Sequence, residues 1–276
     1  MPISRRKFLK LGATSIVWLG TSNLLHSYAL EALPVKNKIR LRFAIASDGH
    51  YGQANTSYDQ FHDEMVLWLN QEKENRGLHF SFINGDLFHD EPGLLIPVKK
   101  KWDQLKMPVY YAHGNHDKVT EEQWKETFRY PWHYSFKQGN SSFLVLNTAD
   151  AAGSYICPDL DWTKKELERH ANAKQLFVFM HITPIKWTNG GIHCPELVQL
   201  FNNQKNLKAI FHGHDHDQDS MKQQGDTMYL FDGHVGGSWG VDYRGYRIVE
   251  VLKSGDVLTY QMNPVAGKKV NEHGLS

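Results

Sequence analysis

The sequence predicts an α/β protein layered around one or more mixed sheets. Three observations carry that expectation. Strand-like and helix-like segments alternate from residue 40 to 211, and only strand-like segments follow. Five of the strands end in small polar clusters of Gly, Asp, Asn and His, the end of an open α/β sheet at which ligands bind. The chain has 276 residues, 41% hydrophobic and 22% charged, enough for a sizeable core and a soluble surface.

Element by element, Arg40–Ser47 alternates and then turns apolar, as a strand entering a buried sheet does. Ser57–Glu74 carries Phe61, Met65, Leu67, Trp68 and Leu69 near helical spacing, with Ser57 as a cap. His79–Asn84 is strand-like. Leu94–Leu105 reads as a helix whose start is blurred by Pro92 and Pro97. Val109–Ala112 is a short strand. Thr120–Phe128 is a helix opened by a Thr120–Gln123 capping box. Trp132–Phe136 and Ser142–Leu146 flank Gly139-Asn140 as a hairpin. Asp159–Ala171 is a helix capped by Asp159 or Asp161. Gln175–Met180 is a strand, Glu196–Phe201 a helix and Leu207–Phe211 a strand. Thr227–Phe231, Tyr246–Leu252 and Val257–Met262 complete the strands, and residues 265–276 read as a frayed C-terminal tail. With no repeat or interdomain linker, one domain over residues 38–264 is expected.

The N-terminus reads as an export signal over residues 1–29. Ser-Arg-Arg-Lys-Phe-Leu-Lys at 4–10 precedes a weakly apolar run from Leu11 to Leu25, and Ser27-Tyr28-Ala29 supplies small residues for cleavage. Arg5-Arg6 followed by Phe-Leu-Lys resembles a twin-arginine signal, which implies the twin-arginine export machinery as a partner and a bacterial periplasmic location. Without residues 1–29 the chain keeps 27 basic and 30 acidic residues, net −3, against +1 for the whole. Neither value suits a strongly basic binder of nucleic-acid polymers. No stretch approaches the ~20 apolar residues of a stable membrane span. Two cysteines exclude a disulfide-dense scaffold and a Cys₄ zinc module; Cys157 and Cys194 are free to pair after export, which spacing alone does not decide.

Sixteen histidines are the compositional excess, and their placement is informative. The strand ends read Asp48-Gly49-His50, Asn84-Gly85-Asp86, His113-Gly114-Asn115-His116-Asp117, His181, and His212-Gly213-His214-Asp215-His216. Each alone is compatible with an ordinary turn or a packing histidine. Together, carboxylate and imidazole donors with no cysteine nearby suit divalent first-row metals, and they are too many for one ion. Two ions bridged by a carboxylate would use them all. The glycines let the backbone turn sharply between them.

This set, with Asp161-Trp162 in its helix, resembles the calcineurin-like metallophosphoesterase family over about residues 40–217. The resemblance implies a four-layer α/β/β/α sandwich of the metallo-dependent phosphatase type. It implies Asp48, His50 and His216 on one metal, Asn115, His181 and His214 on a second, Asp86 bridging them, and His116 off the metals facing the leaving group. The ions would be divalent or mixed-valence Mn, Fe or Zn, with no organic cofactor. Two cations would neutralise the phosphoryl oxygens and acidify a shared water for in-line attack, with His116 protonating the departing oxygen. Accordingly the chain has no Gly-x-Ser-x-Gly elbow and no Walker A loop.

One position departs from the family pattern. Many members have a carboxylate three residues after the bridging Asp, where it orients the catalytic imidazole; here His89 stands there, leaving Asp90 or Asp117 to take over, or His89 to hold another role. The same segment has no tyrosine, so the purple acid phosphatase ligand set does not fit. His89, His193 in the Asn189–His193 loop, and His234 with Trp239 after a late strand are candidate substrate-binding residues. His62, His79, His133 and His170 read as surface or packing residues, and Phe61, Trp68, Trp102 and Trp124 as core. The expected protein is an exported phosphoesterase of small phosphate esters, leaning to phosphodiesters or nucleotide-type substrates. A phosphomonoesterase with the same metals, and a non-catalytic binding protein on the same fold, are the alternatives.

Overall fold

The computed structural model describes residues 38–275. The expected export signal at 1–29 lies outside the described residues. Among the described residues, twelve strands form two six-stranded mixed sheets. In the first, β1 (Ile39–Ala46), β2 (Phe80–Asn84) and β3 (Val109–Ala112) run parallel, and β10 (Tyr246–Leu252), β11 (Val257–Asn263) and β12 (Lys268–Leu275) extend it antiparallel, in the order β12-β11-β10-β1-β2-β3. In the second, β5 (Ser141–Leu146), β6 (Gln175–Met180), β7 (Leu207–His212) and β9 (Thr227–Phe231) are parallel. Antiparallel β4 (Tyr134–Gln138) and β8 (Met221–Gln224) form its edges.

The side-chain period of two sorts each strand into layers. Phe43 and Ile45 of β1 face the second sheet, whereas Ala44 and Ala46 face helices. The small alanines let α1 (Tyr58–Arg76), α2 (Leu95–Trp102) and α3 (Glu121–Phe128) pack Met65, Leu69, Val98, Trp102, Trp124 and Phe128 against the first sheet. On the outer face of the second sheet, Leu144, Val178 and Met180 meet Leu167 of α4 (Leu160–Arg169) and Leu197 and Phe201 of α5 (Pro195–Asn202). The result is the four-layer α/β/β/α sandwich of the metallo-dependent phosphatase type. Among the described residues no helix is long and apolar enough to cross a membrane.

The layer between the sheets is aromatic. Phe43 stacks on Phe80 at 4.7 Å and meets Phe143, Phe177 and Phe211 edge-on across the gap. Phe82 stacks on Phe179 at 3.7 Å. Edge-to-face and offset pairs add to the burial of the rings.

Local signals account for the element boundaries. Thr120 Oγ1 accepts from Gln123 N at 3.3 Å while Gln123 Oε1 accepts from Thr120 N at 2.9 Å, completing the capping box. Asp159 Oδ1, rather than Asp161, caps α4 through Trp162 N. Gly139, at φ 59°, turns the β4–β5 hairpin. The expected Leu94–Leu105 helix instead starts as a 3₁₀ turn at Pro92–Leu94 and continues as α2; Pro97 sits in its first turn, where no intrahelical donor is lost.

Two strands correct the expectation. Residues 265–275 do not form the expected frayed tail: β12 pairs with β11, with Leu275 buried opposite Val257. β8, of sequence Met-Lys-Gln-Gln, is a second polar edge strand. Both are edge strands held mainly by backbone pairing, and their charged and polar side chains, which protect a sheet edge, hide the strand pattern.

Phe43→Ala is expected to remove about 3–5 kcal/mol of stability, because the ring is fully buried between two sheets that cannot collapse onto the gap. Urea unfolding with a lower midpoint and an unchanged slope would show it; a loss of stability under about 1 kcal/mol would contradict the close packing assigned to this layer.

Candidate metal centre

The carboxyl ends of β1, β2, β6 and β7 meet at one place because the backbone there is cross-tied. Asn84 is the tie: its carbonyl accepts from Ser47 Oγ at 2.9 Å and from His181 Nδ1 at 2.7 Å, and its amide donates to Phe211 O at 3.1 Å across the two sheets. Asp48 N donates to Gly85 O and His50 N to Asp86 O, so the segments after β1 and β2 run side by side. Asp48, His50, Asp86, Asp90 and His214 all have positive φ, between 44° and 67°. Such a concentration of left-handed non-glycine residues is costly and typical of functional sites.

The side chains converge accordingly. Asp48, His50 and His216 bring donor atoms within 4.8 Å of one another, as do Asp86, His181 and His214. His50 Nε2 faces His216 Nε2 at 3.0 Å. Asp48 Oδ1 lies 3.1 Å from His216 Nε2 and 3.7 Å from His181 Nε2. Asp86 Oδ2 lies 3.1 Å from His181 Nε2 and 3.7 Å from His50 Nε2, so it reaches both groups. Asn115 is buried beside them, between Gly114, whose Cα packs on Asp86, and His116, whose N donates to Asp86 Oδ1 at 2.8 Å.

Two features fit this donor set to cations. Asn115 Oδ1 is buried without a hydrogen-bond partner among the described residues, an acceptor awaiting a Lewis acid. Three imidazoles also have their outer nitrogens engaged: His181 Nδ1 on Asn84 O, His216 Nδ1 on Trp239 O at 3.2 Å, and His50 Nδ1 on His89 Nδ1 at 3.0 Å. Each ring therefore presents Nε2 inward, the second-sphere arrangement that orients metal-ligating histidine.

Electrostatics follow from burying two carboxylates together. Burial pushes Asp48 up, but His216 and His181 outweigh it and hold the group below the usual carboxylate range. Burial likewise opposes Asp86, which His181 and His50 bring well below that range. For His181, burial acts downward and is overcome by Asp86 and Asp48, leaving it raised to about 10. Burial takes His50 down to about 3, against Asp86, and takes His214 down to about 4 with help from His181.

His116 is partly exposed at the rim. Its Nδ1 meets Asp90 Oδ1 at 3.0 Å, and Lys118 Nζ meets the same oxygen at 2.9 Å. Asp90, not Asp117, is thus the carboxylate that orients His116. Asp117 is buried and accepts from Gly114 N and Phe88 N, closing the turn. His89 stacks on His116 with ring centroids 4.7 Å apart.

The four candidate substrate-binding residues separate. Trp239 stacks on His216 at 4.3 Å and is 45% exposed. A cavity of about 540 Å³ opens beside it, lined also by Tyr243, Arg244 and Val265. His234 lines that cavity and stacks on His216, and its nitrogens lie 2.6 and 3.1 Å from Gly236 O and Val241 O, so the ring is turned toward the backbone of its own loop. His193 is exposed beside the Cys157–Cys194 disulfide, whose Cα atoms are 5.9 Å apart. Its loop touches the centre instead through Gly190, where a Cβ would crowd His214 Nε2. Tyr155, 45% exposed and edge-on to His214 at 5.1 Å, was not foreseen; it stands in an irregular segment with no motif to mark it.

A family model described as calcineurin-like phosphoesterase matches residues 41–218. Comparison with curated proteins gives no match. Among solved structures, the chain is similar to a dimetal phosphatase from Danio rerio (10% identity, TM-score 0.68, 86% of this chain and 99% of that one). It is similar to purple acid phosphatase PPD1 from yellow lupin (Lupinus luteus) seeds (13% identity, TM-score 0.64, 85% of this chain and 53% of that one). It is similar also to the NAD nucleotidase of Haemophilus influenzae (10% identity, TM-score 0.50, 85% and 50%). At these identities the likeness is one of fold.

A raised His181 is protonated at neutral pH, and a metal ion must displace that proton to use Nε2. Metal affinity is therefore expected to rise with pH up to about 10, and loading with Zn²⁺ at pH 7 to release about one proton per protein from this ring. Calorimetry in buffers of different ionisation enthalpy measures it; binding without proton release would place His181 outside the ligand set.

Proposed function

The chain belongs to the calcineurin-like phosphoesterase family, and from that premise we propose that it hydrolyses phosphate esters at a two-metal centre. Asp48, His50 and His216 would hold one ion, Asn115, His181 and His214 the other, with Asp86 between them. The observation that carries this reading is Asp86: its Oδ2 is within 3.7 Å of an inward-facing imidazole nitrogen from each group. Two divalent cations there would supply Lewis acidity toward the phosphoryl oxygens and an acidified water as nucleophile.

The chain's own residues do the rest. Asp90 holds the Nδ1–H of His116, which directs Nε2 outward to give a proton to the departing alkoxide. Lys118 keeps Asp90 ionised: burial pushes that carboxyl up, but hydrogen bonds from Lys118 and His116 hold it lowered. Trp239 and Tyr155 stand at the two sides of the centre, next to His216 and His214 respectively. The cavity beside Trp239 is large enough for an organic group, which supports a lean to phosphodiester or nucleotide-type substrates.

Export by the twin-arginine route to a bacterial periplasm belongs to the same proposal. It rests on the Arg5-Arg6 signal and is supported by the Cys157–Cys194 disulfide, a bond favoured in oxidising compartments.

Hydrolysis of p-nitrophenyl phosphate and bis-p-nitrophenyl phosphate by protein loaded with Mn²⁺, Fe or Zn²⁺ tests the activity. The diester is expected to be the better substrate. On an alkyl phosphate ester, whose alkoxide needs the proton, His116→Ala should lower kcat about 10²–10⁴-fold with metal content unchanged and Asp90→Asn by a smaller factor, with a smaller loss on the p-nitrophenyl esters, whose phenolate leaves without it. No cleavage of either ester with any metal would overturn the phosphoesterase reading, and faster monoester cleavage would reverse the diester lean.

A further inference from the structure

Of the three imidazoles that turn Nε2 inward, two are held by backbone carbonyls, and His50 alone is held by a side chain. That side chain is His89, at the position where the family pattern has a carboxylate. A nitrogen that binds a cation must offer a lone pair, so a ligating His50 Nε2 places the ring proton on Nδ1. The Nδ1–H then needs an acceptor, and the atom facing it at 3.0 Å is His89 Nδ1. The complementary tautomer of His89 carries its proton on Nε2, which faces Asp90 Oδ2 at 4.0 Å. Both rings are thus assigned without a conflict of donors.

His89 is built into this place. Its backbone N donates to Tyr51 O at 3.0 Å, within a parallel bridge between Tyr51 and Phe88 that ties the two segments together. Its ring stacks on His116, tilted by 13°. We propose that His89 is a positioning residue: it accepts the Nδ1–H of His50 and so fixes the tautomer and rotation that present His50 Nε2 to a metal ion. This rests on the two-metal reading. It accounts for a histidine where a carboxylate is usual: the imidazole serves His50, and the neighbouring Asp90 serves His116.

The test measures metal binding by the metal-free protein, apart from activity. In His89→Asn the side-chain Oδ1 would superpose on the accepting Nδ1, whereas a leucine has no acceptor and a phenylalanine keeps only the stacking on His116. Mn²⁺ binding is followed by electron paramagnetic resonance, with folding checked by circular dichroism. His89→Leu and His89→Phe are expected to weaken one of two sites about 10–100-fold, and His89→Asn to restore most of it. In wild-type protein loaded with Zn²⁺, ¹⁵N–¹H spectra should place the proton of His50 on Nδ1, a readout that needs no variant. Wild-type affinity in His89→Leu and His89→Phe, or a His50 proton on Nε2, overturns the proposal while two-metal binding by the wild type leaves the phosphoesterase reading standing. A third bound ion lost in His89→Leu would make His89 a ligand and overturn it as well. Wild-type protein that binds no ion sinks the two-metal reading and this proposal with it.

Discussion

Two carboxylates, Asp48 and Asp86, are buried side by side at the ends of β1 and β2, and the site is organised around making that tolerable. An uncompensated buried carboxylate costs several kcal/mol. Here both oxygens of Asp48 lie 3.0 Å from His214 N, and Asp86 accepts from His116 N. Backbone N–H groups satisfy lone pairs but bring no net charge. The remaining compensation is cationic: the His181 ring in the metal-free chain, and metal ions in the proposed working state. The same two anions thus explain the raised His181 and the affinity proposed for divalent cations, while the surrounding imidazoles account for the depressed carboxyls.

Reaching those anions constrains the backbone. His214 N points at Asp48 because His214 takes φ 67°, and Gly213 before it packs so close to Ser47 and Asp48 that no Cβ fits. Gly114 has the same relation to Asp86. Left-handed residues persist when their surroundings over-determine them. The surroundings here are the aromatic layer between the sheets, rigid because rings such as Phe43, Phe82 and Phe179 interlock, and the Asn84 tie that joins both sheets at their carboxyl ends. The core therefore holds the strand ends where the site needs them, as well as stabilising the fold.

Much of this was legible in the sequence for a physical reason. Buried parallel strands such as Gln175–Met180 must be apolar on both faces, and capped helices such as Glu121–Phe128 announce their start, so both stand out in a single chain. The convergence of Asp48, His50, Asp86, Asn115, His181, His214 and His216 was legible because each follows a strand. Edge strands β8 and β12 were not, since pairing at an edge places little demand on side chains. Tyr155 was not, since its contact with His214 is made by loop geometry. Whether Cys157 meets Cys194 depends on two loops whose approach no local pattern encodes. The choice of Asp90 over Asp117 turned on a backbone detail: Asp117 spends its carboxylate on the N–H groups of Gly114 and Phe88.

The segment from Gly85 to Asp90 shows why a one-residue displacement of the expected carboxylate is compatible with the same chemistry. Six residues must send Asp86 toward two groups of imidazoles, His89 toward His50 and Asp90 toward His116. A regular strand would alternate its side chains and send His89 and Asp90 to opposite faces. Positive φ at Asp86 and at Asp90 breaks that alternation, so consecutive side chains serve neighbouring rings on one side of the centre. The carboxylate need not occupy the third position after Asp86 if the turn at the fourth brings it to the same nitrogen. The physical requirement is an acceptor at His116 Nδ1, and Asp90 Oδ1 at 3.0 Å provides it. The vacated third position is then open to a ring that stacks on His116 and reaches His50.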